Sequence, residues 1–268
     1  MTVARPGAIH IERSIRAAAT RGRPALAGFL TAGFPRMPSF GDLVDAVAAE
    51  VDVVEIGVPF TDPMADGVTI QDSSHRALRE GVNLQWILDV VRAQRHDTPI
   101  VLMSYLNPLI ALGIGDLGRQ AAAAGVSGFI VPDLPCEECL PLRSALEDVG
   151  LALIQLVTPV TPPDRVRRLC ELSQGFVYAV TRTGVTGRSG DCTSDMLDYL
   201  DRVRATSPIP VLAGFGIRVP SHVRTVASHV DGVIVGSALI EVLERGDDPV
   251  AFLRTLRDEN GTPSRELA

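Results

Sequence analysis

The chain has 268 residues, of which 46% are hydrophobic and only 4% aromatic, with a formal net charge of −7. That balance excludes an ordinary nucleic-acid binder, whose affinity for a phosphate backbone rests on clustered Lys and Arg. All 25 basic residues are arginines, so no lysine in this chain is available for a Schiff base or a covalently held pyridoxal phosphate.

An eight-unit βα barrel of about 250 residues fits this length as one domain. The apolar content is mostly Ala, Val, Leu and Ile, which suits parallel strands buried on both faces and the helices that cover them. No stretch reaches the roughly 20 apolar residues that span a bilayer, and residues 1–7 lack a basic segment followed by an apolar one, so a cytoplasmic protein is expected. Cys136, Cys139, Cys170 and Cys192 fall in predicted helices or loops. Cys136 and Cys139 form one Cys-x-x-Cys without a second pair, which reads as free thiols rather than metal ligands.

In chain order, a helix over 9–19 precedes the first strand and is placed to close the barrel bottom. Short apolar runs then recur at 25–31, 52–57, 100–105, 128–132, 151–158, 175–181, 210–213 and 232–236, each of strand length and none alternating cleanly. Phe40, Leu43, Val44, Val47 and Ala48 follow a helical period after the first run, with Ser39 in place to cap and Asp42 three residues on. A loop over 58–67 follows the second run and leads into a helix beginning near Thr69. After the fifth run, Thr161 reads as a cap and Pro162 as the first helical residue ahead of Val166, Leu169 and Cys170. A tail helix covers 249–258, and the last ten residues read as frayed. The pattern predicts an α/β fold: one (β/α)8 TIM-barrel domain over 1–268, with an extra N-terminal helix and a C-terminal tail helix. An open doubly wound sheet is the structural alternative.

In such barrels catalytic groups sit at strand C-terminal ends. The second run reads Asp52-Val53-Val54-Glu55-Ile56-Gly57, which sets a carboxylate in an apolar strand near its end. Burial would raise the Glu55 pKa toward neutrality and suit it to proton transfer. The alternative is a glutamate paired with arginine for structure. The following loop carries Asp62 and Asp66, and Asp66 can fold back to face the same substrate as Glu55. Both aspartates can also be read as turn or cap residues.

Three glycine-bearing segments, Gly184-Val185-Thr186-Gly187, Gly214-Phe215-Gly216 and Gly236-Ser237, follow the sixth, seventh and eighth strands. Backbone N–H groups there, with a short helix N-terminus, would bind phosphate without lysine. The polar segment 183–193, with Arg188, reads as a loop that closes over substrate or as a plain surface loop. His10, His75, His96, His222 and His229 fall on predicted helices or helix ends, away from strand C-termini. No Gly-x-Ser-x-Gly elbow, P-loop or dinucleotide fingerprint is present. What remains is proton transfer on a phosphorylated compound.

The run from Glu55 through Pro63, with Ala65-Asp66-Gly67, resembles the signature of the tryptophan synthase alpha chain family. The resemblance extends through Phe29-Leu30-Thr31-Ala32-Gly33, Tyr105-Leu106-Asn107-Pro108, Val131-Pro132-Asp133-Leu134-Pro135, the Thr183–Gly187 stretch and Gly214-Phe215-Gly216-Ile217, in family order. It implies a lyase that splits indole-3-glycerol phosphate into indole and glyceraldehyde 3-phosphate in tryptophan biosynthesis. By that resemblance Glu55 is the general acid and base, and Asp66 accepts a hydrogen bond from the indole N–H. Phe29, Tyr105 and Tyr178 line the indole pocket or its mouth, Thr186 orients Asp66, and Gly187, Gly216, Gly236 and Ser237 hold phosphate. It also implies no cofactor in this chain, and an α2β2 heterotetramer with a pyridoxal-phosphate β subunit that the loop around Asp62 contacts.

Four positions depart from the common pattern: Val68 stands where proline is usual, Phe34 where aspartate is frequent, Thr61 for serine, and Asp72 for asparagine or arginine. The rival functions are a stand-alone indole-3-glycerol-phosphate lyase of specialised metabolism, a silent barrel that regulates a β-subunit partner, and another phosphosugar barrel such as an isomerase.

Overall fold

The structure is a computed structural model that describes residues 6–94, 97–181, 193–214 and 216–258. Eight strands, β1 (Ala25–Thr31), β2 (Val53–Gly57), β3 (Ile100–Met103), β4 (Val126–Ile130), β5 (Ala152–Val157), β6 (Val177–Val180), β7 (Val211–Gly214) and β8 (Gly232–Val235), pair in sequence order. All pairings are parallel, and β8 returns to β1 in a register running from Ala25 opposite Gly232 to Gly28 opposite Val235. The sheet is therefore a closed barrel, and the doubly wound alternative does not hold. The described helices are α1 (Pro6–Thr20), α2 (Phe40–Ala48), α3 (Val68–Arg79), α4 (Leu84–Ala93), α5 (Leu106–Leu112) and α6 (Ile114–Ala124), then α7 (Leu140–Glu147), α8 (Pro163–Leu172), α9 (Ser194–Thr206), α10 (Pro220–Val226), α11 (Ser237–Arg245) and α12 (Pro249–Asp258). Among the described residues no helix is long and apolar enough to cross a membrane.

The strands are apolar on both faces because each face meets a different core. Inside the barrel, Ala27, Val53, Val101, Ile130, Ile154, Leu212 and Ile234 form one cluster. Ile11 and Ile15 of α1 belong to that same cluster, so the N-terminal helix closes the barrel floor as its position in the sequence predicts. Full burial of each of these isoleucines stabilises the fold by about 1.5–3 kcal/mol. The alternate residues Leu30, Ile56, Leu102 and Phe129 point outward into a second core shared with Phe40, Ile87 and Leu88 of the covering helices. The tail helix α12 buries Leu253 and Leu256. It is also tied down by Arg254 and Arg257, each of which donates to the buried Glu50 carboxylate at 2.6 Å.

Several local expectations need correction. Ser39 occupies the position before α2 but makes no capping bond to its N–H groups; its hydroxyl turns back to the Arg36 carbonyl. The helix after β5 starts one residue later than predicted, with Pro162 as N-cap and Pro163 as its first residue. Thr161 is spent on the preceding turn, where its hydroxyl accepts from the Thr158 N–H at 3.0 Å. β4 begins at Val126 rather than 128 because α6 ends at Gly125 in the left-handed conformation, φ 91°, which releases the chain into the sheet at once. The segment 182–192, His96 and the last ten residues lie outside the described residues.

Candidate active site

Glu55 lies on β2 between Phe29 of β1 and Val101 of β3, and is 2% exposed. Neither carboxyl oxygen has a hydrogen-bond partner among the described residues. Its neighbour in sequence, Asp52, shows what a structural carboxylate looks like here. Buried Asp52 accepts from Arg21 at 2.8 Å, Arg23 at 2.6 Å and the Leu26 N–H at 2.8 Å. The ion-paired alternative weighed for Glu55 thus describes Asp52 instead. A buried polar group without a partner is costly, and burial penalises the charged form most. Burial first, and the nearby Asp66 charge second, push the Glu55 carboxyl up to about 8. At neutral pH it holds its proton.

Asp66 arrives on the loop between β2 and α3. That loop is folded by its own backbone, with Met64 N–H donating to the Asp62 carbonyl at 2.9 Å and Asp66 N–H to the Pro63 carbonyl at 3.1 Å. The Gln71 amide from α3 donates to the Asp66 carbonyl at 2.8 Å. The Tyr105 hydroxyl donates to the Asp66 carboxylate at 3.2 Å. Burial raises Asp66 and the Tyr105 hydrogen bond lowers it, leaving it at about 6. Near pH 7 the two carboxyl groups therefore differ in state, one a proton donor and the other an anion. The cap reading of the aspartates does not hold, since Gly67 is the N-cap of α3 and no side chain caps it. Asp62 is exposed and accepts from the Thr61 hydroxyl at 2.5 Å, which fits its reading as a turn residue.

One pocket at the C-terminal end of the barrel is lined by Glu55 and Asp66 together with Phe29, Tyr178, Gly216, Gly236 and Ser237. Two glycines that the sequence does not single out for this purpose make room for its aromatic walls. A methyl group on Gly57 would overlap the Phe29 ring, and one on Gly214 would overlap the Tyr178 ring. Gly214, expected in a phosphate segment, is therefore a packing glycine. Gly216 needs its glycine for conformation, at φ 97°. Gly236 is different, because a methyl there would meet only Phe29 and Ile70 at ordinary contact distance, 3.7–3.9 Å. Its lack of a side chain keeps open the space in front of the α11 N-terminus, whose first N–H groups have no intrahelical acceptor.

Tyr105 does not line the cavity; it stands behind Asp66 and stacks on Phe60 with ring centroids 5.1 Å apart. Thr186, Gly187 and Arg188 lie outside the described residues. The pocket also includes Ile70, Met103, Ile217, Arg218, Ile234 and Ala238, which sequence reading missed. Period-two spacing was the available signal for one of them, since Ile234 precedes Gly236 by two residues. Among the described residues Cys136, Cys139 and Cys170 are buried free thiols, and no group of three or more His, Cys, Asp or Glu is placed to hold a metal.

A protein-family model described as tryptophan synthase alpha chain matches residues 15–262. The tryptophan synthase alpha chain of Desulfovibrio desulfuricans is 44% identical over 249 residues, covering 91% of this chain and 97% of the relative. That of Xanthomonas oryzae pv. oryzae is 45% identical, covering 88% and 92%. Among solved structures, tryptophan synthase subunit alpha from Legionella pneumophila superposes with a TM-score of 0.84 at 31% identity, covering 93% of this chain and 97% of that one. A chain in the Mycobacterium tuberculosis tryptophan synthase structure does so with a TM-score of 0.82 at 36% identity, covering 94% and 95%.

Proposed function

The chain belongs to the tryptophan synthase alpha chain family, and from that premise we propose that its buried carboxyl pair cleaves indole-3-glycerol phosphate into indole and glyceraldehyde 3-phosphate. The observation that carries the proposal is Glu55, a fully buried carboxyl with both oxygens unpartnered among the described residues, set in the same pocket as an ionised Asp66.

Cleavage requires a proton at indole C3, loss of a proton from the side-chain hydroxyl next to the ring, and rupture of the carbon–carbon bond between them. The electrons of the broken bond restore the indole ring, while those released by the hydroxyl form the aldehyde carbonyl. One carboxyl group serves both transfers in turn: protonated Glu55 gives its proton to C3, and its carboxylate then takes the hydroxyl proton. Asp66 accepts from the indole N–H and offsets the positive charge that develops on the ring when C3 is protonated. Phe29 and Tyr178 hold the indole plane. The phosphate sits on the backbone N–H groups of Gly216, Gly236 and Ser237, with Gly187 completing the cradle and Thr186 orienting Asp66. No cofactor enters this chemistry. The test is to incubate the purified chain with indole-3-glycerol phosphate and assay both products. Equal amounts of indole and the triose phosphate are expected, whereas a phosphosugar isomerase would leave the substrate intact.

The family is normally paired with a β subunit, and we assign the same α2β2 partnership to this chain. Support comes from exposed apolar side chains that follow consecutive strand ends on the pocket side of the barrel: Met64 after β2, Ile110 after β3, Leu140 after β4 and Val160 after β5. Apolar exposure concentrated on one face is the mark of a docking surface.

A further inference from the structure

Arg218 lines the pocket and is the one cationic residue to do so among the described residues. It lies four residues beyond β7, next to Val219, the N-cap of α10. Its guanidinium donates to the Glu241 carboxylate of α11. Glu241 is four residues on from Ser237, so the two share a face of α11 one turn apart. The pair therefore ties the Arg218 guanidinium to a residue one helical turn beyond Ser237, in a pocket that Arg218 lines together with Gly236 and Ser237.

We propose that Arg218 is a direct phosphate-binding residue whose guanidinium leaves Glu241 for the substrate dianion. The inference rests on the reading above that the ligand is a phosphate ester. Three physical points carry it. The Arg218 and Glu241 side chains are 47% and 28% exposed, and so open an ion pair is worth little and easily exchanged. A phosphate offers the planar guanidinium two oxygens in bidentate geometry and twice the charge of a carboxylate. The released Glu241 is partly solvated, so freeing it does not strand a buried charge.

A purely structural role, in which Arg218 serves only to neutralise Glu241 beside the phosphate, is separated by experiment. The experiment compares the wild type with Arg218→Gln, Arg218→Lys and the double variant Arg218→Gln/Glu241→Gln. It measures the Kd for sn-glycerol 3-phosphate by calorimetry, and kcat and KM for indole-3-glycerol phosphate. Loss of a charge-assisted pair predicts a Kd and KM raised about tenfold or more in Arg218→Gln, with kcat changed far less. Arg218→Lys should recover part of the loss, and the double variant should stay as weak as Arg218→Gln. A double variant that binds like the wild type would assign Arg218 to neutralising Glu241 alone and overturn the inference, as would wild-type affinity in Arg218→Gln. Wild-type protein that binds no glycerol 3-phosphate would remove the phosphate-ester reading itself, and this inference with it.

Discussion

The Tyr105 hydroxyl donates to the Asp66 carboxylate at 3.2 Å and accepts from the Ala65 N–H at 2.9 Å. A side chain just beyond β3 thereby fixes the position and the charge of a carboxylate carried by the loop after β2. The barrel makes this possible by setting consecutive strand ends side by side.

Tyr105→Phe removes a hydrogen bond that lowers the Asp66 pKa. Asp66 should then titrate above about 6, and a smaller fraction of it is ionised at neutral pH. The acidic limb of the kcat/KM profile should move to higher pH, which a pH–rate series on the variant would detect. An unmoved limb would mean that Asp66 is not the group titrating there.

Glu55 also leaves a signature in stability. Its carboxyl stays protonated up to about 8 in the folded chain, against 4.5 for the unperturbed group. Between those values the unfolded state binds fewer protons than the folded one, so the Glu55 contribution to stability is whole below about pH 4.5 and is lost as pH rises toward 8. Glu55→Gln cannot ionise. Urea unfolding at pH 5 and pH 8 should show the variant gaining on the wild type by a few kcal/mol across that window, at about 1.4 kcal/mol per pH unit at most. A constant difference would contradict the raised pKa.

The pocket glycines should separate by consequence. Gly214→Ala drives a methyl group into the Tyr178 ring and should cost about 1–3 kcal/mol in denaturant unfolding, as overpacking does. Gly236→Ala has room for its methyl and should unfold much like the wild type, yet bind glycerol 3-phosphate more weakly. Equal stabilities for the two would place the Tyr178 ring elsewhere.

Leu140→Asp puts a charge on an exposed apolar side chain of the face assigned to the β subunit. Titrating a tryptophan synthase β subunit into the lyase assay should stimulate the wild type and this variant alike at saturation, with the variant needing more β subunit to reach half-effect. A wild type that never responds would favour the stand-alone lyase.

Much of this molecule was legible in the sequence, for identifiable reasons. The run 25–31 and the tail helix 249–258 match β1 and α12 end for end, because Gly, Pro and charged residues bound apolar runs there. Other strands are trimmed where the chain turns aside while still bonding: β3 stops at Met103, although Ser104 N–H still donates to the Ile130 carbonyl at 3.0 Å. Glu55 stood out as the one acid within an apolar strand. Asp52, at the start of the same run, differs from Glu55 by position, but its ion pairing was not legible locally, since the arginines that pair it come from the turn after α1, about thirty residues away in sequence. Gly214 and Gly216 looked alike as text and differ in cause, one yielding to a ring and the other to a positive φ. Val68, which departs from a usual proline, is the first residue of α3 and exposed. At that position an N–H needs no intrahelical acceptor, so either residue fits.

The most direct test of the central claim is indole release from indole-3-glycerol phosphate by wild type and Glu55→Gln, measured beside their affinities for glycerol 3-phosphate. The account predicts steady release by the wild type, none from the variant, and near-equal phosphate-ester affinity for both. Wild-type turnover in Glu55→Gln would contradict it, because the proton transfers would then belong to another group.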